Sequence, residues 1–239
     1  MVDGLYKVEY QINDGTGRSV LYARAGMMLG GNTAFAHFGS YRDVDGEIVA
    51  EIRTKRHSPS LEFRTLLRSD DVTIRMRGWP VGEVYRFAGE VAQEPGTVFR
   101  ATMTPLGDDD MPPPGAVGDG GIVSGLYSVA IRMLDGVDGG NTGVMLLHDG
   151  RILGGDAFFY YQGSYSSANG RWKGEFVNQE HTPAKSERPL FGGYQVGIGF
   201  SGRCDAASAE VEATALAGKR SIRFAATLKL IRPFDAGPA

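Results

Sequence analysis

His57 and His181 are the side chains of this chain best suited by type to move protons, and each stands just before a Ser/Thr-Pro pair, Ser58-Pro59 and Thr182-Pro183. Proton transfer in catalysis needs a constellation, however: a nucleophile or substrate group within reach of the base, and an acid that orients it. No serine or cysteine nucleophile recurs beside both histidines together with a repeated acidic partner. Both therefore read as histidines that end a strand and bond a turn, and no catalytic residue is assigned. The four histidines, His37, His57, His148 and His181, have no close ligand spacing, so no metal is expected. Gly30-Gly31 and Gly154-Gly155 are followed by neither a helix nor the Lys-Ser/Thr of a phosphate cradle; they predict a bulge or barrel corner, and no cofactor. Arg53-Thr54-Lys55-Arg56-His57, near Arg75 and Arg77, is a basic stretch. The stretch before the other candidate histidine is Val177-Asn178-Gln179-Glu180, and no aromatics interleave the basic residues for base stacking. With a net charge of -3, nucleic acid is not an expected partner.

The elements that must position these residues come in two copies. Shifting the chain by 124 residues sets Gly26 to Pro59 on Gly150 to Pro183. Gly26, Leu29, Gly30, Gly31, Phe35, Gly39, Ser40, Tyr41, Gly46, Glu51, His57 and Pro59 all recur, 12 identities in 34 ungapped positions, against roughly 2 expected from average usage. Gly4-Leu5-Tyr6 and Val8 fall on Gly125-Leu126-Tyr127 and Val129, while Phe99, Ala101 and Thr102 fall on Phe224, Ala226 and Thr227. Between the copies, residues 107–121 are acidic, then proline-rich, then glycine-rich, with no apolar period; they read as an exposed linker. The division is 1–106, linker 107–121, and 122–239.

Within each copy the apolar residues alternate. Tyr6, Val8, Tyr10 and Ile12 share one face and Lys7, Glu9 and Gln11 the other; Val72, Ile74 and Met76 repeat the pattern, as do Val196, Ile198 and Phe200. Asn13-Asp14-Gly15, Asp45-Gly46, Asp149-Gly150 and Asn169-Gly170 reach positive φ at little cost and predict tight hairpins. About eight short antiparallel strands per copy, each with one apolar face, predict an all-β protein of two consecutive closed barrels, since closure removes exposed edges. No long amphipathic helix is evident; short helical turns could fit within 58–67 and 182–191.

Bulk properties set the remaining bounds. The chain is 42% hydrophobic and 22% charged, which suits a packed core. Cys204 is the single cysteine and cannot form an internal disulfide. The first residues, Met1-Val2-Asp3-Gly4-Leu5-Tyr6, do not have the basic-then-apolar form of a signal peptide, and no stretch approaches the roughly 20 apolar residues that span a bilayer. A cytoplasmic protein without membrane insertion is expected.

The opening Gly4-Leu5-Tyr6-Lys7-Val8, its counterpart Ser124-Gly125-Leu126-Tyr127-Ser128-Val129, and Gly154-Gly155-Asp156 leading through Tyr160, Tyr161, Gln162 and Gly163 carry a resemblance. Both copies look like the GrlR family of negative regulators of type III secretion. The resemblance implies lipocalin-like β-barrels with an apolar interior that bind a transcriptional activator and commonly pair as dimers. It also implies an acidic contact in the hairpin after the strand carrying Gly39, which here reads Arg42-Asp43-Val44-Asp45-Gly46-Glu47 and places the contact on Asp43, Asp45 and Glu47. The acids are interrupted by Val44 and Gly46, and the second copy, Ser166-Ser167-Ala168-Asn169-Gly170-Arg171, has none.

The functional expectation is a non-enzymatic binding protein, a regulator that sequesters a protein partner, with a carrier of a small apolar ligand or lipid inside a barrel as the alternative. Gly197, Gly199 and Ser201, small residues on the outward parity of their strand, are the expected contact through which the two copies dock as a covalent dimer.

Overall fold

The computed structural model describes residues 2–58, 65–107, 112–134, 142–184, 191 and 195–234. Its first half is a closed antiparallel barrel of eight strands in simple meander order: β1 (Gly4–Ile12), β2 (Gly15–Arg24), β3 (Met27–Gly31), β4 (Phe35–Val44), β5 (Glu47–Arg56), β6 (Asp71–Val81), β7 (Val84–Val91) and β8 (Glu94–Pro105), with β8 pairing back onto β1. The second half repeats it with β9 (Gly125–Met133), β10 (Thr142–His148), β11 (Arg151–Gly155), β12 (Phe159–Ala168), β13 (Arg171–Glu180), β14 (Val196–Cys204), β15 (Ser208–Ala217) and β16 (Arg220–Pro233), closed by β16 on β9. No helix occurs among the described residues. The helical turns considered within 58–67 and 182–191 fall largely outside the described residues.

The alternation translates directly into inside and outside. Tyr6, Val8 and Ile12 of β1, Val72, Ile74 and Met76 of β6, and Phe99, Ala101 and Met103 of β8 fill one core; Tyr127, Val129, Val196, Ile198, Phe200, Phe224 and Leu228 fill the other. The hairpins close at the expected dipeptides, with φ of 54° and 85° at Asp45-Gly46, 47° and 79° at Asp149-Gly150, and 53° and 73° at Asn169-Gly170.

The expected docking of the copies through β14 is corrected. Gly197, Gly199 and Ser201 are exposed on the outer wall of the second barrel, and a methyl group built on Gly197 or Gly199 would meet nothing within 4 Å. The barrels instead meet through the outer faces of β1 to β4 and β9 to β12: Leu5, Val20, Tyr22, Leu29 and Phe38 pack in one cluster with Leu126, Val144, Leu146, Leu153 and Tyr160. Thr142 also donates its hydroxyl to the Thr33 carbonyl across the joint, at 2.6 Å. The physical reason is that association is driven by apolar area leaving water, and a glycine face offers almost none. The joint left its mark on the sequence, because strands buried on both faces lose their alternation. Ser19-Val20-Leu21-Tyr22-Ala23 in β2 and Gly143-Val144-Met145-Leu146-Leu147 in β10 are buried throughout.

Most of the described residues of the linker are exposed, but its second half is tied down. Gly118 N–H bonds the Ser167 carbonyl and Ser167 N–H the Ala116 carbonyl, so Val117 makes a parallel bridge to Ser167. The short β11 reaches only Ser164 of β12, and the strap occupies the edge left open beyond it, from Tyr165 to Asn169.

Candidate functional site

The two barrels share a backbone plan but not an interior. The first encloses a cavity of about 310 Å³, whereas the corresponding space in the second is about 60 Å³. Residues aligned across the duplication account for the difference. Ile48, Ile52 and Met76 of the first barrel correspond to Trp172, Phe176 and Phe200 of the second. There the rings interlock, with centroids 4.6 Å apart for Trp172 and Phe200 and 6.2 Å for Phe176 and Phe200. Ala50 corresponds to Gly174, where an added methyl would come within 2.8 Å of the Phe200 ring. The second lumen is thus a packed aromatic core.

The first barrel carries aromatics too, but keeps them against the wall. Tyr10 lies over its cross-strand neighbour Gly17, where a methyl carbon would fall 2.3 Å from the ring, and Phe87 lies over its neighbour Gly78 in the same way, at 2.4 Å. The glycines make dents that hold the rings flat and leave the middle open. Val8, Leu21, Ile52, Ile74, Met76 and Met103 complete an apolar wall. The cavity reaches the surface beside Thr16, Arg18 and Leu66, and Ala157 of the second barrel contributes to its rim.

One end of the lumen is polar. His37 on β4 faces Thr54 on β5, its cross-strand neighbour, with Nδ1 3.0 Å from the Thr54 hydroxyl. Its Nε2 is buried and has no hydrogen-bond partner among the described residues. Burial, reinforced by nearby His57, lowers its pKa to about 4, so the ring is neutral at physiological pH. Beside it, Asn32 Nδ2 donates to the Tyr10 hydroxyl at 3.3 Å and to the Arg18 carbonyl at 3.1 Å. Burial pushes the Tyr10 hydroxyl up to about 12. Sequence reasoning passed over His37 because its aligned residue is Tyr161, so it carried no repeated pattern.

His57 and His181 act as braces at equivalent corners. Asn32 Oδ1 accepts the N–H groups of Ala34 and Phe35, and Asp156 Oδ1 those of Phe158 and Phe159, which turns the chain from β3 to β4 and from β11 to β12. His57 Nε2 lies 3.0 Å from the Asn32 carbonyl, and His181 Nε2 3.4 Å from that of Asp156. Burial lowers both histidines' pKa values, that of His181 to about 4.

The acidic hairpin lies at the turn between β4 and β5. Asp43 accepts the Gly46 N–H at 2.9 Å and Glu47 pairs with Arg77 at 2.6 Å, while Asp45 occupies the left-handed turn position. The basic stretch is matched by acids across the strands: Arg53 with Asp71 at 2.7 Å, Arg56 with Asp70 at 3.0 Å and Arg75 with Glu51 at 2.9 Å. Among the described residues, no group of three His, Cys, Asp or Glu side chains is placed to hold a metal ion.

No family model matches the chain and no curated protein matches it. Among solved structures, a putative outer membrane protein from Bacteroides fragilis is similar over 96% of this chain and 97% of its own, at 8% identity and a TM-score of 0.26. A superposition that loose carries no argument about role. No helix among the described residues is long and apolar enough to cross a membrane, which says nothing about strands.

Proposed function

We propose that this chain is a non-enzymatic binding protein whose first barrel holds a small, largely apolar ligand and whose second barrel is its structural support. The observation that carries the reading is the contrast between aligned interiors: one lumen of about 310 Å³ and one filled by Trp172, Phe176 and Phe200. Small-molecule sites begin at about this size and combine apolar walls with a few placed polar groups, as do Tyr10, Asn32, His37 and Thr54 here. The exterior supports a barrel dissolved in water. Paired charges such as Arg53 with Asp71 and Arg75 with Glu51 cover an outer wall that in a membrane-spanning barrel would be apolar.

The alternative role, a GrlR-like regulator that sequesters a protein through Asp43, Asp45 and Glu47, draws less from the geometry. Two of the three carboxylates already serve the hairpin and Arg77.

Native mass spectrometry of gently purified protein tests the proposal, with added mass released on denaturation as the expected result. The variant Ile52→Phe/Met76→Phe, which copies the second barrel into the first, should lose that mass while remaining folded. Equal retention by the filled variant would refute a ligand in this lumen.

A further inference from the structure

The wall of the first lumen holds information about the chemistry of its occupant, given the proposal that it has one. A buried ring nitrogen without a partner is unfavourable, because it has left water and gained nothing in exchange. His37 is in that position: Thr54 satisfies Nδ1, and Nε2 lines a largely apolar chamber with no partner for it among the described residues. The second barrel has Tyr161 at the aligned position, within an interior that leaves little space.

Charge narrows the choice of partner. Arg18 is the single Lys or Arg among the described residues that line the cavity; it points outward from β2 at the rim, 3.6 Å from Glu9. An anionic head group would therefore be buried without a fixed counter-charge. A cationic one fares no better, since no Asp or Glu is among the described residues that line the chamber. Neutral histidine offers Nε2 as a donor or as an acceptor, depending on which nitrogen holds the proton, and a hydroxyl complements either form.

From this geometry we infer that the first barrel recognises an uncharged apolar alcohol, with its hydroxyl bonded to His37 Nε2 and its hydrocarbon body against Val8, Ile52, Met76 and Met103. The lowered pKa of His37 agrees, because a ring that stays neutral does not attract a carboxylate. At about 30 Å³ per non-hydrogen atom, a water's share of liquid volume, the cavity admits a molecule on the order of ten such atoms.

The inference rests on the proposed function and is tested so that the two can fail separately. Three matched probes, 3-phenylpropan-1-ol, n-butylbenzene and 3-phenylpropanoate, are titrated at pH 7.5 by calorimetry or ligand-observed NMR. Against the intact protein, the alcohol and the hydrocarbon should bind and the carboxylate should bind at least about 100-fold more weakly, the penalty of an unpaired buried charge. In His37→Phe the alcohol should lose about tenfold or more in affinity, the cost of leaving a buried hydroxyl unbonded, while butylbenzene stays within about threefold. Thr54→Val, which leaves the ring in place but removes its support, should weaken the alcohol severalfold and not the hydrocarbon; it decides the matter if His37→Phe does not fold.

Unchanged alcohol binding in these variants would mean that Nε2 is served by water alone, and would overturn the inference. Carboxylate binding as tight as the alcohol's would do the same. Hydrocarbon binding without alcohol binding removes this inference and spares the proposed function. If none of the probes binds, or binding persists in Ile52→Phe/Met76→Phe, both fall.

Discussion

Val20 and Val144 occupy matching places in the two barrels, and each lies over the other barrel's glycine: Val20 over Gly155 and Val144 over Gly31. A methyl carbon on Gly155 would sit 2.7 Å from Val20 Cγ2, and one on Gly31 3.1 Å from Val144 Cγ1. The joint is therefore reciprocal, as in a twofold dimer, although one chain supplies both sides. Val20→Asp places a carboxylate at a fully buried position between apolar faces. The expected loss is about 3–5 kcal/mol in urea denaturation. A loss under about 1 kcal/mol would show that the barrels do not rely on this contact.

The two interiors should answer opposite substitutions oppositely. Phe200→Ala empties the middle of a packed aromatic core and should cost about 3–5 kcal/mol. Ile52→Phe adds atoms where there is already space, and should change stability by no more than about 1.5 kcal/mol. Equal costs in the two would contradict the contrast between a filled and a hollow barrel.

Acid should destabilise the fold through His37. In the folded state its pKa is lowered to about 4, while in the unfolded chain it returns to about 6.5. Above pH 6.5 the ring is neutral in both states and the full stability is present; as pH falls toward 4, only the unfolded chain takes up the proton, and stability declines. The slope contributed approaches about 1.4 kcal/mol per pH unit within that window. His181 adds a similar slope, and Asp156, whose carboxyl burial pushes up, works in the opposite direction. Both groups are retained in His37→Phe, so that variant should flatten the wild-type slope by His37's share. Urea denaturation from pH 4.5 to 7.5 measures it, and identical slopes would mean that His37 titrates normally.

Ala25 is strained where its counterpart is not. It holds φ of 49° in the turn between β2 and β3, next to Gly26 at 82°; the aligned residue, at 47°, is Asp149. A left-handed conformation costs alanine about 1–2 kcal/mol, and Asn tolerates it better. Ala25→Asn should therefore raise stability by about 1 kcal/mol, read as a higher urea midpoint with unchanged slope.

Neutralising the hairpin, with Asp43→Asn, Asp45→Asn and Glu47→Gln together, removes the exposed Glu47–Arg77 pair and should cost about 1 kcal/mol or less. The same variant serves for partner capture. A protein retained by wild type and lost from this variant would favour the regulator role over the carrier role.

The duplication, the closed barrels and the hairpin dipeptides were legible because each rests on a local rule: a period of two, a positive φ, a repeated residue. The joint was legible in principle. Val20 to Ala23 and Val144 to Leu147 are unbroken apolar runs in strands that should alternate, yet small outward glycines on β14 drew attention away from them. The candidate site was hidden for a different reason. Inward residues are apolar in both copies, so a hollow and a filled barrel have the same pattern. The distinguishing signal was volume, Ile52 against Phe176 and Met76 against Phe200, and it appears only when the copies are compared for size rather than identity.

Covalent linkage also settles how unlike halves find each other. Separate chains, one hollow and one filled, would assort into three pairings through so symmetric a joint, and two of those would match like with like. Fusion through residues 107–121 permits only the mixed assembly within a single molecule. Sequence change could then open one lumen while its twin remained solid, with every copy of the protein inheriting both.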